Sequence, residues 1–338
     1  MKKSKFTLME VCGTHTMAIA RAGIKKVLPS EVRLISGPGC PVCVTPQHDI
    51  DVAIEVAGRK DVIMTTFGDM MRVPGTRSSF NEVRTKGADV RVLYSPLDAL
   101  NIAEDNPEKK VVFMGVGFET TSPTVAATVL EAKKRGTKNF FVLSNFKVVF
   151  PALEAISKSS ELNVDGFICP GHVSVITGSI PYEDIARRYR KPCVIMGFEP
   201  VDIIKGIKRL VEQISSRDYT TYIEYTRAVS KNGNTKAQSI LGEVFKVVDS
   251  NWRGIGVIGK SGLKLNDKYK CFDAEKEFLV KIPRAKEPKG CLCGKVLQGV
   301  KRPSDCKLFS KVCTPQKPIG PCMVSSEGTC AAYYKYGE

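Results

Sequence analysis

The chain predicts an α/β fold of parallel sheets covered by helices, followed by a smaller α+β C-terminal region, and two observations carry this. From about residue 31 to 215, short β-rich runs alternate with amphipathic helical segments, the pattern produced by parallel strands joined by crossover helices. After about residue 216 the texture changes to polar helix, then Gly-rich β around Trp252 to Lys264, then a cysteine-rich tail.

The expected strands are Val32 to Ser36, Val62 to Thr66, Val90 to Tyr94, Val111 to Gly115, Phe140 to Ser144, Gly166 to Cys169 and Cys193 to Gly197. Thr45-Pro46, Ser95-Pro96 and Ser122-Pro123 each set a capping hydroxyl before a proline suited to the first helical turn. Right-handed crossovers between such strands lead to a doubly wound sheet. Met114-Gly115-Val116-Gly117-Phe118-Glu119 is echoed by Met196-Gly197-Phe198-Glu199, which hints at two similar lobes split near Asn106-Pro107. The expected division is 1–105, 106–215 and 216–338, the last a small domain that a metal would help hold together because a loop-rich segment buries little apolar surface.

At 338 residues, 43% hydrophobic and 25% charged, the chain has the composition of an ordinary globular protein. No apolar run approaches the roughly 18 residues of a membrane span, and Met1-Lys2-Lys3-Ser4-Lys5-Phe6 lacks the apolar core of a signal peptide. A cytoplasmic location, with no membrane, is therefore expected. Twelve cysteines, six of them between Cys291 and Cys330, then point to metal binding or thiol redox chemistry rather than structural disulfides. The formal charge of +16 admits a nucleic-acid partner through counterion release. No motif supports one, and lysines interleaved with acids, as in Glu131-Ala132-Lys133-Lys134-Arg135, read as a solvated helix face.

The unusual segments follow predicted strands, where open α/β sheets place ligands: Gly37-Pro38-Gly39-Cys40-Pro41-Val42-Cys43, Phe67 to Gly75 with Asp69 and Arg72, Gly117-Phe118-Glu119-Thr120-Thr121, and Pro170-Gly171-His172-Val173-Ser174. Together they describe a cleft. Cys40 and Cys43 form a CxxC just before the Thr45-Pro46 helix start, where a helix dipole favours thiolate. This is either a dithiol that cycles with a disulfide or half of a zinc site. Cys12-Gly13-Thr14-His15-Thr16 offers a soft thiolate suited to Fe(II), or an ordinary buried cysteine. Of the three histidines, His15 and His172 lie in these loops and His48 lies in a first helical turn beside Asp49. His172 is a proton donor, a ligand orienter or a loop residue with one backbone bond. Glu119 and Asp69 are acid–base groups, acceptors holding His15 or Arg72, or capping acids. The tail supplies Cys291, Cys293, Cys306, Cys313, Cys322 and Cys330, enough for a [4Fe–4S] cluster or a zinc ion, with wide spacing in favour of the cluster.

These motifs, with Gly320-Pro321-Cys322-Met323-Val324-Ser325-Ser326-Glu327-Gly328, recur in order along nearly the whole chain and resemble the HypD family of hydrogenase maturation proteins. The resemblance implies two Rossmann-like domains facing a cleft and a third domain with a [4Fe–4S] cluster. It implies a monomer that joins a small HypC-like chaperone. An iron carrying two cyanides and one carbonyl, Fe(CN)2CO, is then held between them with Cys12 as ligand. Cyanide arrives from HypE as a thiocyanate made with HypF. The family spacing C-x14-C-x6-C-x16-C assigns the cluster to Cys291, Cys306, Cys313 and Cys330, with Cys293 and Cys322 as substitutes. Cys40 and Cys43 become the redox dithiol, and His15, His172, Glu119 and Thr120 hold ligands and protons. No Walker-type phosphate loop is present. The alternatives are a cluster-dependent thiol–disulfide oxidoreductase acting on a protein substrate, in which Cys12 is incidental, and a zinc-bound basic adaptor for nucleic acid.

Overall fold

The structure is a computed structural model that describes residues 5–159, 163–283, 285 and 287–337. Its strands are β1 (Phe6–Glu10), β2 (Val32–Ser36), β3 (Val62–Thr66), β4 (Asp89–Val92), β5 (Lys110–Gly115), β6 (Phe140–Ser144), β7 (Gly166–Pro170), β8 (Cys193–Met196), β9 (Thr221–Ile223), β10 (Phe245–Trp252) and β11 (Gly256–Leu265). Two sheets are wholly parallel: one in the order β2-β1-β7-β8-β9, the other β4-β3-β5-β6. Strands β1, β3, β6 and β7 are buried at every position, which is why they read as continuous apolar runs rather than alternating ones.

The expected strands are present, with ends moved by one or two residues, and two more exist. Phe6–Glu10, expected only as the residues after a basic start, inserts between β2 and β7, and Thr221–Ile223 extends the same sheet beyond β8. The expected boundary at 105/106 does not separate the sheets. It falls between β4 and β5, which both belong to the four-stranded sheet, while β1 and β2 cross over to join β7, β8 and β9. Residues 216–338 are likewise shared out. Phe245, Leu263 and Leu265 of the hairpin pack in one core with Val111 and Phe113 of the four-stranded sheet, while Cys293, Leu297 and Cys322 pack with Met9 and Phe167 of the other.

Helix starts follow local chemistry. Ser95 caps Pro96–Asp105 with a full capping box closed by Asp98, as its Ser-Pro pair predicts. The other two pairs are shifted: Pro46 itself precedes Gln47–Ala57, with Thr45 ending the short helix Pro41–Val44, and Ser122 already lies inside Ser122–Arg135. Ile203, Ile207 and Leu210 of Pro200–Ser216 cover Leu8, Ile168 and Val194, one apolar stripe at helical spacing. No helix among the described residues is long and apolar enough to cross a membrane.

Strand order locates the crevices. Order reverses between β1 and β7 in one sheet and between β3 and β5 in the other, and loops beyond the C-terminal ends of such neighbours line a binding crevice. These are the loops that carry Cys12 and His172, and Asp69 and Glu119.

The β10–β11 turn, residues 253–255, meets the tail at Gly254. Gly254 has φ +75°, and a Cβ there would stand 2.1 Å from the Gly294 Cα. Gly254→Ala should therefore destabilise the fold by on the order of 2 kcal/mol, measured as a lower urea midpoint; an unchanged midpoint would show that the two segments do not pack in solution.

Candidate functional site

Cys12 ends the loop after β1 and stands at the N-cap of Gly13–Arg21. It is 6% exposed. Burial, then the nearby Glu327 carboxylate, pushes its thiol up to about 12, against a smaller pull from the amides of His15 and Thr14. The Cys40 loop reaches it directly: the Gly13 amide donates to the Gly39 carbonyl at 2.8 Å, and a Cβ on Gly39 would lie 2.3 Å from the Cys12 nitrogen. Only glycine permits that approach.

Cys40 and Cys43 are joined as a disulfide with Cα atoms 5.2 Å apart. The cysteine at a helix start is Cys40, not Cys43: Cys40 caps Pro41–Val44, its sulfur accepting from the Cys43 amide at 3.1 Å. Both are buried in a core that also holds Cys293 and Cys322.

His15 is buried, and its Nε2 donates to the Gly197 carbonyl at 2.8 Å. Burial lowers its pKa to about 4, so at neutral pH the ring is uncharged and Nδ1, which has no hydrogen-bond partner among the described residues, is the free acceptor. Phe198 lies between the histidines, stacked on His15 at 4.6 Å and on His172 at 4.1 Å. His172 itself is exposed, and what burial it has lowers its pKa.

Glu119 is 3% exposed. Its Oε1 accepts from the Val149 amide at 3.0 Å and its Oε2 has no partner among the described residues. No cation among the described residues offsets the burial, which raises its pKa from 4.5 to about 7. Thr120, expected beside it as a ligand-holding residue, is exposed in the turn; the hydroxyl sits outside because the turn aims Glu119 inward. His48 is not in the cleft. It lines a separate cavity with Asp49, Asn145 and Phe278.

Asp69 holds neither His15 nor Arg72. Its Oδ2 accepts from the Ser325 hydroxyl at 3.1 Å and from the Ser326 amide and hydroxyl at 2.9 Å each. Two residues on, Glu327 accepts from the Thr14 hydroxyl at 2.5 Å. The loop 325–327 thus ties both crevices to the tail.

All six tail cysteines line one small cavity with Val296, Leu308, Phe309 and Met323. The Cys293 and Cys322 sulfurs are 2.8 Å apart. Hydrogen bonding with Cys291 and Cys322 holds Cys293 below the usual thiol range and pushes those two up. Among the described residues no group of three or more His, Cys, Asp or Glu side chains is arranged to hold a metal ion. Cys291, Cys306, Cys313 and Cys330 are neighbours around this cavity.

Three further buried or stacked side chains around these loops escaped the sequence reading. Glu10, fully buried at the end of β1, accepts from Thr16 at 2.6 Å and Ser36 at 3.2 Å and faces Lys25 at 3.6 Å; its place in a strand is the missing signal. Phe198 sits in the echoed Met-Gly-Phe-Glu stretch, which was the available clue. Arg253 is a buried guanidinium whose backbone amide donates to the Val44 carbonyl, one residue beyond Cys43.

Fold and site define a protein class: a two-sheet α/β protein that packs cysteines from the early and the late part of the chain into one core. Comparison with known proteins agrees. The family model described as hydrogenase formation hypA family, HypD, matches residues 1–337. Hydrogenase maturation factor HypD2 of Bradyrhizobium diazoefficiens is 46% identical, covering 99% of this chain and 90% of that protein. Hydrogenase maturation factor HypD of Azotobacter vinelandii is also 46% identical over 99% of the chain and 90% of its own length, and that of Escherichia coli is 44% identical over 97% and 88%. The chain belongs to the HypD family of hydrogenase maturation factors.

Glu119 gives a pH test. Its folded pKa lies above that of an unfolded chain, so the stabilisation from the neutral buried acid is complete below about pH 4.5 and is lost as pH rises through about 7. Glu119→Gln should match the parent at pH 4 and exceed it at pH 8 by up to about 3 kcal/mol. Urea unfolding at both values measures the difference, and a gap that is the same at each would mean that burial does not raise the Glu119 pKa.

Proposed function

We propose that the chain is the scaffold on which the Fe(CN)2CO unit of [NiFe]-hydrogenase is assembled, working with a HypC-like chaperone and a HypE-like cyanide donor in the cytoplasm. The observation that carries this reading is continuity of sulfur: Gly39 packs on the backbone of Cys12, and Cys40, Cys43, Cys293 and Cys322 share one core. An oxidoreductase for a protein substrate has no use for a buried third cysteine whose backbone packs on the loop that carries its disulfide.

Cys12 is the iron anchor. A thiol pushed up to about 12 stays protonated at neutral pH and resists oxidation, and a soft metal displaces that proton on binding. His15, neutral and fixed by Gly197 and Phe198, turns Nδ1 toward a donor or ligand without adding charge. Glu119, half protonated near pH 7, is placed to give or take a proton inside the core.

The Cys40/Cys43 pair is the two-electron reagent. In its dithiol form it releases cyanide from a protein thiocyanate: the S–CN bond breaks, the dithiol closes to a disulfide, and its two protons leave on the donor thiol and on hydrogen cyanide. The Cys293/Cys322 pair resets it by thiol–disulfide exchange, since the helices Pro41–Val44 and Cys293–Leu297 pack together. With those two sulfurs assigned to exchange, Cys291, Cys306, Cys313 and Cys330 are the four that would hold a [4Fe–4S] cluster, as an all-thiol apolar cavity suits. Such a cluster, when bound, supplies single electrons to the tail.

Co-expression with the maturation partners should give a complex with infrared bands of metal-bound cyanide and carbonyl. Cys12→Ser should abolish them while leaving thiol exchange intact; bands that persist in this variant would remove Cys12 as the anchor. In protein purified without oxygen, Cys306→Ala should bleach the absorption near about 400 nm expected of a thiolate-bound cluster, and unchanged iron content would strike Cys306 from the ligand set.

A further inference from the structure

We propose that Asp69 is a positioning residue for Cys12, the catch that holds the turn 325–327 over the start of Gly13–Arg21 and so sets how readily that thiol is uncovered. This rests on the reading of Cys12 as the iron anchor.

Cys12 is only 6% exposed, too little for a metal carrying three diatomic ligands to reach its sulfur, so a segment packed on this part of the chain has to move before loading. Two segments pack there. The loop from Gly37 to Cys40 is tied by main-chain bonds, the Gly37 amide donating to the Glu10 carbonyl and the Gly13 amide to the Gly39 carbonyl, both at 2.8 Å. The other is the turn 325–327. A Cβ on Gly13 would stand 2.5 Å from the Glu327 Cβ and 2.6 Å from the Glu327 carbonyl oxygen.

Among the described residues, the hydrogen bonds that tie this turn to anything outside the tail run through two side chains, Asp69 and Thr14. They form one unbroken line. Asp69 Oδ2 accepts from the Ser325 hydroxyl at 3.1 Å and from the Ser326 amide and hydroxyl at 2.9 Å each. The Ser325 oxygen in turn accepts from the Glu327 amide at 3.1 Å, and Glu327 Oε1 accepts from the Thr14 hydroxyl at 2.5 Å. The turn also moves as a body: the Ser325 amide donates to the Pro321 carbonyl and the Gly328 amide to the Ser325 carbonyl, each at 3.0 Å. Thr329–Tyr336 packs on Gly13–Arg21 and keeps the tail in place when the turn lifts. Three donors on one carboxylate oxygen are charge-assisted bonds, each stronger than a neutral one, so releasing them is the main cost of a local opening.

The test uses the whole protein, purified without oxygen, with Asp69→Ala, Asp69→Asn and Ser325→Ala. Each is treated with iodoacetamide at neutral pH and followed cysteine by cysteine by peptide mass spectrometry. Cys193, fully buried in β8, reports global loosening, and Cys271, which is exposed, sets the rate of an open thiol. Asp69→Ala and Ser325→Ala should raise the Cys12 rate about tenfold with the Cys193 rate unchanged. Asp69→Asn, which keeps an acceptor, should restore most of the protection. An unchanged Cys12 rate in Asp69→Ala, equal increases at Cys12 and Cys193, or a parent Cys12 as reactive as Cys271 would each overturn the catch. Infrared bands that persist in Cys12→Ser would instead defeat the anchor reading, and with it the part Asp69 plays in loading, while leaving these rates as measured.

Discussion

The interface between the helices Pro41–Val44 and Cys293–Leu297 is the constraint on which the rest depends. It places a disulfide from the start of the chain against a thiol pair from its end, inside a core shared with Met9, Phe118 and Trp252. Both sheets must be complete for this contact to exist, because Cys40 follows β2 while the β10–β11 hairpin that wedges against it packs on the core of the other sheet. Phe118 and Trp252, stacked at 5.9 Å, join that hairpin to the Glu119 loop. A protein in which sulfur chemistry depends on such long-range packing cannot form its site before it has folded.

That interdependence separates what was legible in the sequence from what was not. Val62–Thr66 and Phe140–Ser144 declare themselves as apolar β-branched and aromatic runs, and Ser95-Pro96 marks a helix start by local hydrogen bonding alone. Phe6–Glu10 does not, because its burial is created by partners at Val32 and Gly166 far along the chain. The same reason explains the lobe boundary. Local pattern reports most strands but not that β1 crosses to pair with β7, carrying β2 with it. Cysteine clustering was visible because cysteine is rare and its grouping is informative. Glu10 and Arg253 were invisible as site residues, since a single charged side chain reads as surface until a fold buries it.

Asp69 illustrates the intermediate case. Its position after β3, in a Gly-rich loop, made it a candidate for the rim, but the sequence offers no way to know which group it meets. In the fold it receives three donors from Ser325 and Ser326 and so acts on the cleft indirectly, by seating the loop that delivers Glu327 to Thr14. A carboxylate on a ligand-binding rim need not touch ligand. Here it attaches the sulfur-rich tail to the crevice at β3 while Glu327 attaches it to the crevice at β1.

The electrostatics of the cleft follow from the cargo on the proposed reading. Two cyanide charges cancel those of Fe(II), and carbon monoxide adds none, so the fragment itself is neutral. A site built of permanent ions would bury unpaired charge around it at high cost. Cys12 keeps its proton until metal replaces it, His15 stays uncharged because burial lowers its pKa to about 4, and Glu119 stays protonated to about pH 7. All three shifts have burial as their largest cause, and each disfavours the charged form. The only charge gained on loading is then the thiolate of Cys12, directly bonded to the iron, where charge transfer to a soft metal and not a protein counter-ion stabilises it.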